Sequence, residues 1–225
     1  GGLIEVPARR AAGARVAAAG ARRRLAPYFS AMAPDPPRSP DSAGPLDLPA
    51  IWRMAWQTQR AIYTTRHHGV EHWVRVERNG LWLATRLGEE GVAGSVDTLV
   101  VRLFAALHDC QRRDDGYDLE HGPRAADFIG GLRLPLAPER IECLVTAVRT
   151  HTAGPTESDD VTVQVCHDAD RLDLGRVRIR PSPRFLNTGP AQDLARRDAV
   201  HELDRIPQPV TLPDRLRRTP RWDAR

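Results

Sequence analysis

The sequence contains no lysine, so all 33 of its basic residues are arginine. Alanine, proline and glycine are abundant as well, and this bias indicates a GC-rich, bacterial coding sequence. Residues 1–48 hold seven arginines against four acidic residues, a charge of +3, which leaves +1 of the net charge of +4 for all later residues. A folded region with so small an excess does not have the balance of a nucleic-acid binder, so we expect no nucleic-acid partner.

Cysteines and long apolar runs are scarce. The three cysteines, Cys110, Cys143 and Cys166, are odd in number and form no CxxC pair. This argues against a disulfide framework or a zinc finger and is typical of a reducing, cytoplasmic location. No apolar run approaches the ~18 residues that a membrane span needs, so no membrane partner is expected.

Composition divides the chain into three parts. Residues 1–48 are rich in Ala, Arg and Pro and predict a disordered tail and linker, residues 49–205 a folded domain, and residues 206–225 an extended or disordered tail. Residues 1–31 fit an upstream artefact or disordered tail, a targeting peptide, or a short Ala-rich helix with a role of its own.

Apolar residues recur at helical spacing through most of the folded part. The segment 159–176 begins with β-branched residues that would also suit a strand, but its apolar positions continue at helical spacing. We therefore predict an all-α fold, with helices over 50–63, 69–88, 95–109, 121–132, 136–152 and 159–176, and a short one near 191–206.

Histidine and aspartate recur near the ends of these helices. The candidates are His72 early on the second, His108 and Asp109 closing the third, His121 just before the fourth, His151 closing the fifth, and Asp168 and Asp170 in the sixth. Imidazole and carboxylate together suit divalent ions such as Mn, Fe, Co, Ni and Zn, with Mg less favoured. Each residue alone also fits a polar helix end, but the ordered set indicates a metal site.

Four segments, HHGVEHWVRVERNG, ALHDCQRRDDGYDLEHGPRAADFI, VRTHT and CHDADRLDLGRV, resemble the successive motifs of the HD-domain superfamily of metal-dependent phosphohydrolases. The resemblance covers about residues 60–180 and is greatest to an uncharacterised bacterial branch. It implies an HD-domain helical bundle in which His72, His108, Asp109 and Asp170 bind one divalent metal ion. It favours Asp170 over Asp168, because the last Asp of the family precedes a basic or apolar residue and then Leu.

The same resemblance suggests further roles. His121 and His151 match positions that hold a second metal or contact phosphate in some members, and with Asp109 they form the expected catalytic set. His121 as a loop residue and His151 as a helix cap remain open. His68 is a second-choice ligand or a support. Apart from the resemblance, Arg112 and Arg124 flank the proposed metal and would clamp a phosphate or lie in a solvated loop, with Arg176 and Arg178 as further choices.

The expected function is hydrolysis of a nucleotide or other small phosphoester by a metal-activated water, with Mn, Mg, Co, Ni, Fe or Zn as the ion. A different possibility is a non-catalytic module that senses nucleotide or metal. A third is a di-iron oxygenase, which would need both His121 and His151 as ligands. The sequence leaves the substrate, the number of ions and the oligomeric state open.

Overall fold

The computed structural model describes residues 46–92, 96–154 and 156–208. Seven α-helices lie in these ranges: α1 (Leu48–Ile62), α2 (Val70–Glu89), α3 (Thr98–Leu107), α4 (His121–Gly130), α5 (Pro138–Thr150), α6 (Val161–Arg171) and α7 (Gly189–Arg196). Short 3₁₀ turns cover Leu174–Val177, Pro183–Phe185 and Val200–Arg205. No strand occurs in the described ranges, so the all-α prediction is confirmed for them. The predicted tails lie almost wholly outside them.

Aspartate side chains start three of the helices. Asp47 accepts a hydrogen bond from the backbone N–H of Ala50, and Asp97 and Asp160 accept from the first-turn N–H groups of α3 and α6. Such caps satisfy backbone donors that have no partner inside the helix. The cap at Asp160 helps to explain why the β-branched start of α6 is helical. Residue 95, the predicted start of α3, lies outside the described residues, and the helix starts at Thr98.

The end of α2 differs slightly from the prediction. The sequence predicts a stop at Gly88, but the helix runs on to Glu89. Gly91 then adopts a φ of 67°, and the N–H of Val92 bonds to the carbonyl of Leu87. Only glycine enters this left-handed region without a steric cost, so Gly91 rather than Gly88 closes the helix.

Helix α3 is the centre of the bundle. Its residues from Leu103 to Leu107 are all fully buried, as its nearly unbroken apolar sequence predicts. It contacts α1, α2, α5 and α6. Because α3 is held from several sides, the residues directly after it, His108 and Asp109, have a fixed position. No helix in the described ranges is long and apolar enough to cross a membrane.

Candidate metal centre

Four of the predicted ligands converge at one buried point. The Nε2 atom of His72, on the first turn of α2, lies 3.1 Å from Nε2 of His108 and 3.1 Å from Oδ1 of Asp170 on the last turn of α6. Oδ2 of Asp109 lies 3.6 Å from Nε2 of His72 and 3.5 Å from Nε2 of His108. The three helices α2, α3 and α6 thus bring these four donor atoms, which we call the first group, to one point.

Hydrogen bonds on the far side of each ring orient the two histidines. Nδ1 of His72 is 2.7 Å from Oδ2 of Asp173, and Nδ1 of His108 is 3.1 Å from the backbone carbonyl of Phe104. Oxygen atoms at these positions require a proton on Nδ1, so we assign the Nδ1–H tautomer to both rings. The Nε2 atoms then carry lone pairs, which is the form in which histidine binds a metal.

A second group of donor atoms adjoins the first. Oδ1 of Asp109 lies 2.9 Å from Nε2 of His121, which lies 2.8 Å from Nε2 of His151. Nδ1 of His151 is 2.7 Å from the carbonyl of Val148, and Nδ1 of His121 faces the carbonyl of Asp118. These two imidazoles therefore also present Nε2 lone pairs. Asp109 has one carboxylate oxygen in each group.

The distances between the donor atoms suit coordination of a cation, whereas without a cation neighbouring lone pairs would repel one another. Nitrogen lone pairs about 3 Å apart repel unless a proton or a cation lies between them. Bonds of ~2.1 Å from first-row ions to histidine place neighbouring ligand atoms about 3.0–3.4 Å apart, close to the observed distances. In addition, Oδ1 of Asp170 is buried and accepts no hydrogen bond from a described residue. Buried polar atoms are rarely left so, and a metal ion would satisfy this one.

The carboxylates of the site are held in their ionised form. Burial alone would raise the pKa of Asp109, but the imidazoles of His108, His121 and His151 around its carboxylate outweigh burial and hold that pKa well below its usual range. Contacts with His72 and His108 and the charge of Arg176 likewise overcome burial and lower the pKa of Asp170. Burial lowers the pKa of His151 to about 4, so its ring is neutral near pH 7.

His68 and Arg176 lie against the first group. Nδ1 of His68 is 3.0 Å from Oδ2 of Asp109, and with His72 it forms a third possible ligand set. The NH2 atom of Arg176 is 3.2 Å from Nδ1 of His68 and 3.8 Å from Oδ1 of Asp170. An arginine N–H can only donate and an ionised carboxylate can only accept, so Nδ1 of His68 bonds to Asp109 in the Nδ1–H tautomer and to Arg176 in the other tautomer.

Asp168 lies in a different environment from Asp170. Its carboxylate accepts hydrogen bonds from the backbone N–H groups of Asn187 and Thr188 and from both of their side chains, at 2.7–3.0 Å. It thereby anchors the segment before α7 to α6. The structure brings Asp170, and not Asp168, beside His72 and His108.

The two arginines expected to clamp a phosphate have different surroundings. The NH1 atom of buried Arg112 lies 3.1 and 3.2 Å from the ring nitrogens of His121 and 3.7 Å from Oδ1 of Asp109. Arg124 instead bonds Asp118 at 2.5 Å and the carbonyl of Gln111 at 3.1 Å. Arg112 is therefore beside the second group, whereas Arg124 supports the loop between α3 and α4.

Two supporting residues, Asp173 and Gln59, are not predicted by the sequence pattern. Asp173 follows Asp170 by three residues, a spacing that places two side chains on one side of a helix, and this could have identified it. Gln59 on α1 donates to the backbone carbonyls of His68 at 2.9 Å and Asp109 at 3.2 Å. No local pattern marks Gln59, because its partners are 9 and 50 residues away.

No protein-family model and no curated protein match the chain. A similar solved structure is the crystal structure of a predicted HD superfamily hydrolase from an uncultured Thermotogales bacterium. The two chains are 23% identical, with a TM-score of 0.49, and the match covers 70% of this chain and 88% of that one.

Proposed function

We propose that the protein is a divalent-metal-dependent phosphohydrolase of HD type that acts on a nucleotide or another small phosphoester. The observation that supports this most directly is the pair of donor groups that share Asp109. His72, His108, Asp109 and Asp170 would hold one ion, and Asp109, His121 and His151 a second one. Ions bound there would lower the pKa of water and neutralise charge on a phosphoryl group.

The protein's own side chains would position the substrate. Arg176 and Arg112 lie beside the first and the second group respectively, with guanidinium N–H groups that suit phosphate oxygens. We assign Arg112 and Arg176 to the phosphate and give Arg124 a supporting role, since Asp118 already occupies its guanidinium. In its Nδ1–H tautomer, His68 would donate to Oδ2 of Asp109 and orient this carboxylate from the side opposite to His121.

A di-iron oxygenase is the second candidate, and the observation in its favour is the position of His121 and His151 beside Asp109. Two adjacent donor groups that share a carboxylate would suit a pair of iron ions as well as a pair of Mn or Mg ions. We expect the aerobically purified protein not to be selective for iron. Two irons per chain, with oxygen consumption and no phosphate release, would support the oxygenase instead.

The test is a phosphate-release screen on the full chain. Protein loaded with Mn, Co, Ni or Mg is mixed with a panel of nucleotides and p-nitrophenyl phosphate. Activity is expected with at least one metal and substrate, and His108→Ala and Asp109→Asn should reduce it to background. His67→Ala, which changes an exposed neighbour of the site, should retain it.

Three outcomes distinguish the possible functions. Turnover that depends on metal and on Asp109 supports the phosphohydrolase. Binding of a nucleotide without any product identifies a sensing module. Activity that survives Asp109→Asn would refute the proposed site.

A further inference from the structure

A concave surface adjoins α2. It is a groove of about 640 Å³ between α2 and the 3₁₀ turns at Leu174–Val177 and Val200–Arg205. Its lining is rich in basic side chains: Arg75, Arg78, Arg176, Arg178, Arg180 and His201. We call it the arginine groove. It shares Asp173 and Arg176 with the surroundings of the first group but contains none of the proposed ligands.

The groove carries more positive than negative charge. Its five arginines face three carboxylates, those of Asp173, Asp198 and Asp204. Arg180 pairs with Asp198 at 3.2 Å, with both side chains about two-thirds exposed. Exposed ion pairs contribute little free energy, so an incoming anion can displace this aspartate. Arg178 is exposed and forms no ion pair with a described residue, so its charge is open to a ligand.

Arg78 is the buried cation of the groove. Its side chain is 5% exposed, and two of its nitrogens donate to Oδ1 of Asn79. Its counter-charge among the described residues is Asp204, at 3.1 Å, whose side chain is 69% exposed. A buried charge is costly unless it is well compensated. An anion in the groove would provide the compensation that a solvent-exposed carboxylate provides only partly.

Apolar side chains form the rest of the wall. Leu172, Ile179, Val200 and Leu203 line the groove, and Ile179 is 54% exposed. The volume lies within the roughly 300–1,000 Å³ of small-molecule sites. Guanidinium groups bind phosphate through two parallel N–H donors, and the apolar wall would pack against the non-phosphate part of a ligand.

We propose that the arginine groove binds a small organic phosphate of nucleotide size, at a site separate from the metal centre. The phosphate contacts the guanidinium groups of Arg78, Arg178 and Arg180, and the organic body packs on Ile179. Binding there requires no metal ion, so the proposal stands independently of the hydrolytic function.

The test is calorimetric titration of the full chain with α,β-methylene-ADP, whose phosphate bridge is not hydrolysed. Arg178→Ala/Arg180→Ala should weaken binding at this site by at least about tenfold, because two charge-assisted hydrogen-bonding groups are lost. Arg133→Ala/Arg184→Ala, which removes two exposed arginines outside the groove, should change the Kd by less than about twofold. Adenosine, which has no phosphate, should bind at least about tenfold more weakly than the probe.

Repeating the titration with His108→Ala distinguishes binding of the probe in the groove from binding at the metal centre. The groove should still bind the probe in this variant, and if the variant is unfolded by circular dichroism, chelator-treated wild-type protein replaces it. The proposal is overturned if the arginine double variant binds like wild type, if removing the metal abolishes all binding, or if no binding occurs up to millimolar probe. Groove binding by a metal-loaded wild-type protein that turns over no substrate would instead contradict only the proposed enzyme activity.

Discussion

The histidines of both donor groups present Nε2 to the centre because another atom occupies each Nδ1. For three of them this atom is a backbone carbonyl, of Phe104, Asp118 or Val148, so the tautomer is fixed by the helix or turn that carries the ring. For His72 it is a side chain, Asp173, which also pairs with Arg75 at 2.6 Å. Asp173 is therefore the orienting group most accessible to mutation.

We expect Asp173→Asn to weaken binding of the ion at the first group by about 10–100-fold while the fold is retained. The amide is a poorer acceptor, so His72 loses both its orientation and part of its basicity. Competition titration with a metal-sensitive dye measures the affinity. Asp127→Asn, an exposed carboxylate paired with Arg149, is the matched control and should bind metal as wild type does. Equal affinities for the two variants would show that Asp173 does not orient a ligand.

His167 gives the stability of the fold a dependence on pH. Burial lowers its pKa to about 4, and its ring accepts from Thr156 and donates to the carbonyl of Ala147. The unfolded chain, with a pKa near ~6.5, binds the proton more readily below that pH. The contribution of neutral His167 to the free energy of unfolding is therefore fully present above pH ~6.5 and is lost as the pH falls toward 4.

Because of this pKa shift, the free energy of unfolding between pH 7 and pH 4.5 should fall by roughly 2.5 kcal/mol more in the wild-type protein than in His167→Gln. Urea unfolding at the two pH values, in the presence of chelator, gives the difference, because the metal-site histidines then contribute equally to both proteins. His201→Gln, at an exposed site, should follow wild type. A parallel loss in wild type and His167→Gln would exclude His167 as a source of the acid sensitivity.

Helix α6 carries two aspartates whose side chains contact different parts of the protein. Asp168 holds the segment at Asn187 and Thr188, and Asp170 faces His72 and His108. The order of residues in the sequence favoured Asp170 only through a family resemblance, because two aspartates separated by one residue are not distinguished by composition. What distinguishes Asp168 from Asp170 is its hydrogen bonds to Asn187 and Thr188, about 20 residues further along the chain.

Asp168→Ala should therefore affect mainly the stability of the protein, and Asp170→Ala mainly its metal binding. Asp168→Ala should lower the free energy of unfolding by about 3 kcal/mol or more, since several buried donors lose their acceptor, yet leave the metal content of the folded protein unchanged. Asp170→Ala should abolish binding at the first group with a much smaller effect on the metal-free stability. Urea denaturation and elemental analysis of both variants decide the matter, and metal loss in Asp168→Ala with retention in Asp170→Ala would reverse the assignment.

The packing of α2 on α3 depends on a glycine. A Cβ atom at Gly80 would lie 2.5 Å from Cγ1 of Val101 and 3.4 Å from Cβ of Ala169, whereas at Gly88 it would meet nothing within 4 Å. Close approach at Gly80 brings α2 near both α3 and α6, the helices that provide the other ligands of the first group.

Gly80→Ala should destabilise the protein by about 1–3 kcal/mol through overpacking. Gly88→Ala, on the same helix, should be neutral or stabilise it by up to about 1 kcal/mol, because alanine restricts the unfolded chain without a clash. Thermal or urea unfolding of the two variants compares them directly. Equal effects would mean that the contact with Val101 relaxes at no cost.

At the scale of the whole molecule, the helix pattern and the order of His and Asp predicted more of the site than any single motif. The sequence named His72, His108, Asp109, His121, His151 and Asp170 as candidates, with Asp170 favoured over Asp168 by the family resemblance, and the structure brings their donor atoms together in two groups. The fold could be predicted because most helices have strong apolar periodicity and a terminal signal.

Other features depend on contacts that a sequence does not display. Arg176 reaches Asp170 and His68 only because the chain turns back after α6 in the 3₁₀ segment Leu174–Val177. The arginine groove likewise requires α2 and the turn at Val200–Arg205 to approach each other. Neither approach has a local signal. In the sequence Arg176 and Arg178 were therefore only further choices, and Arg75, Arg78 and Arg180 could not be separated from the arginines that reflect codon bias.

Metal stoichiometry shows whether the two donor groups bind divalent metal ions. Elemental analysis of the full chain, after loading with Mn or Co and gel filtration, should give about two ions per chain for wild type. Asp109→Ala, which removes an oxygen from both groups, should bring the content close to zero, and His151→Ala should leave about one. A wild-type protein that is folded and takes up no divalent ion, or an Asp109→Ala variant that retains both, would contradict the account.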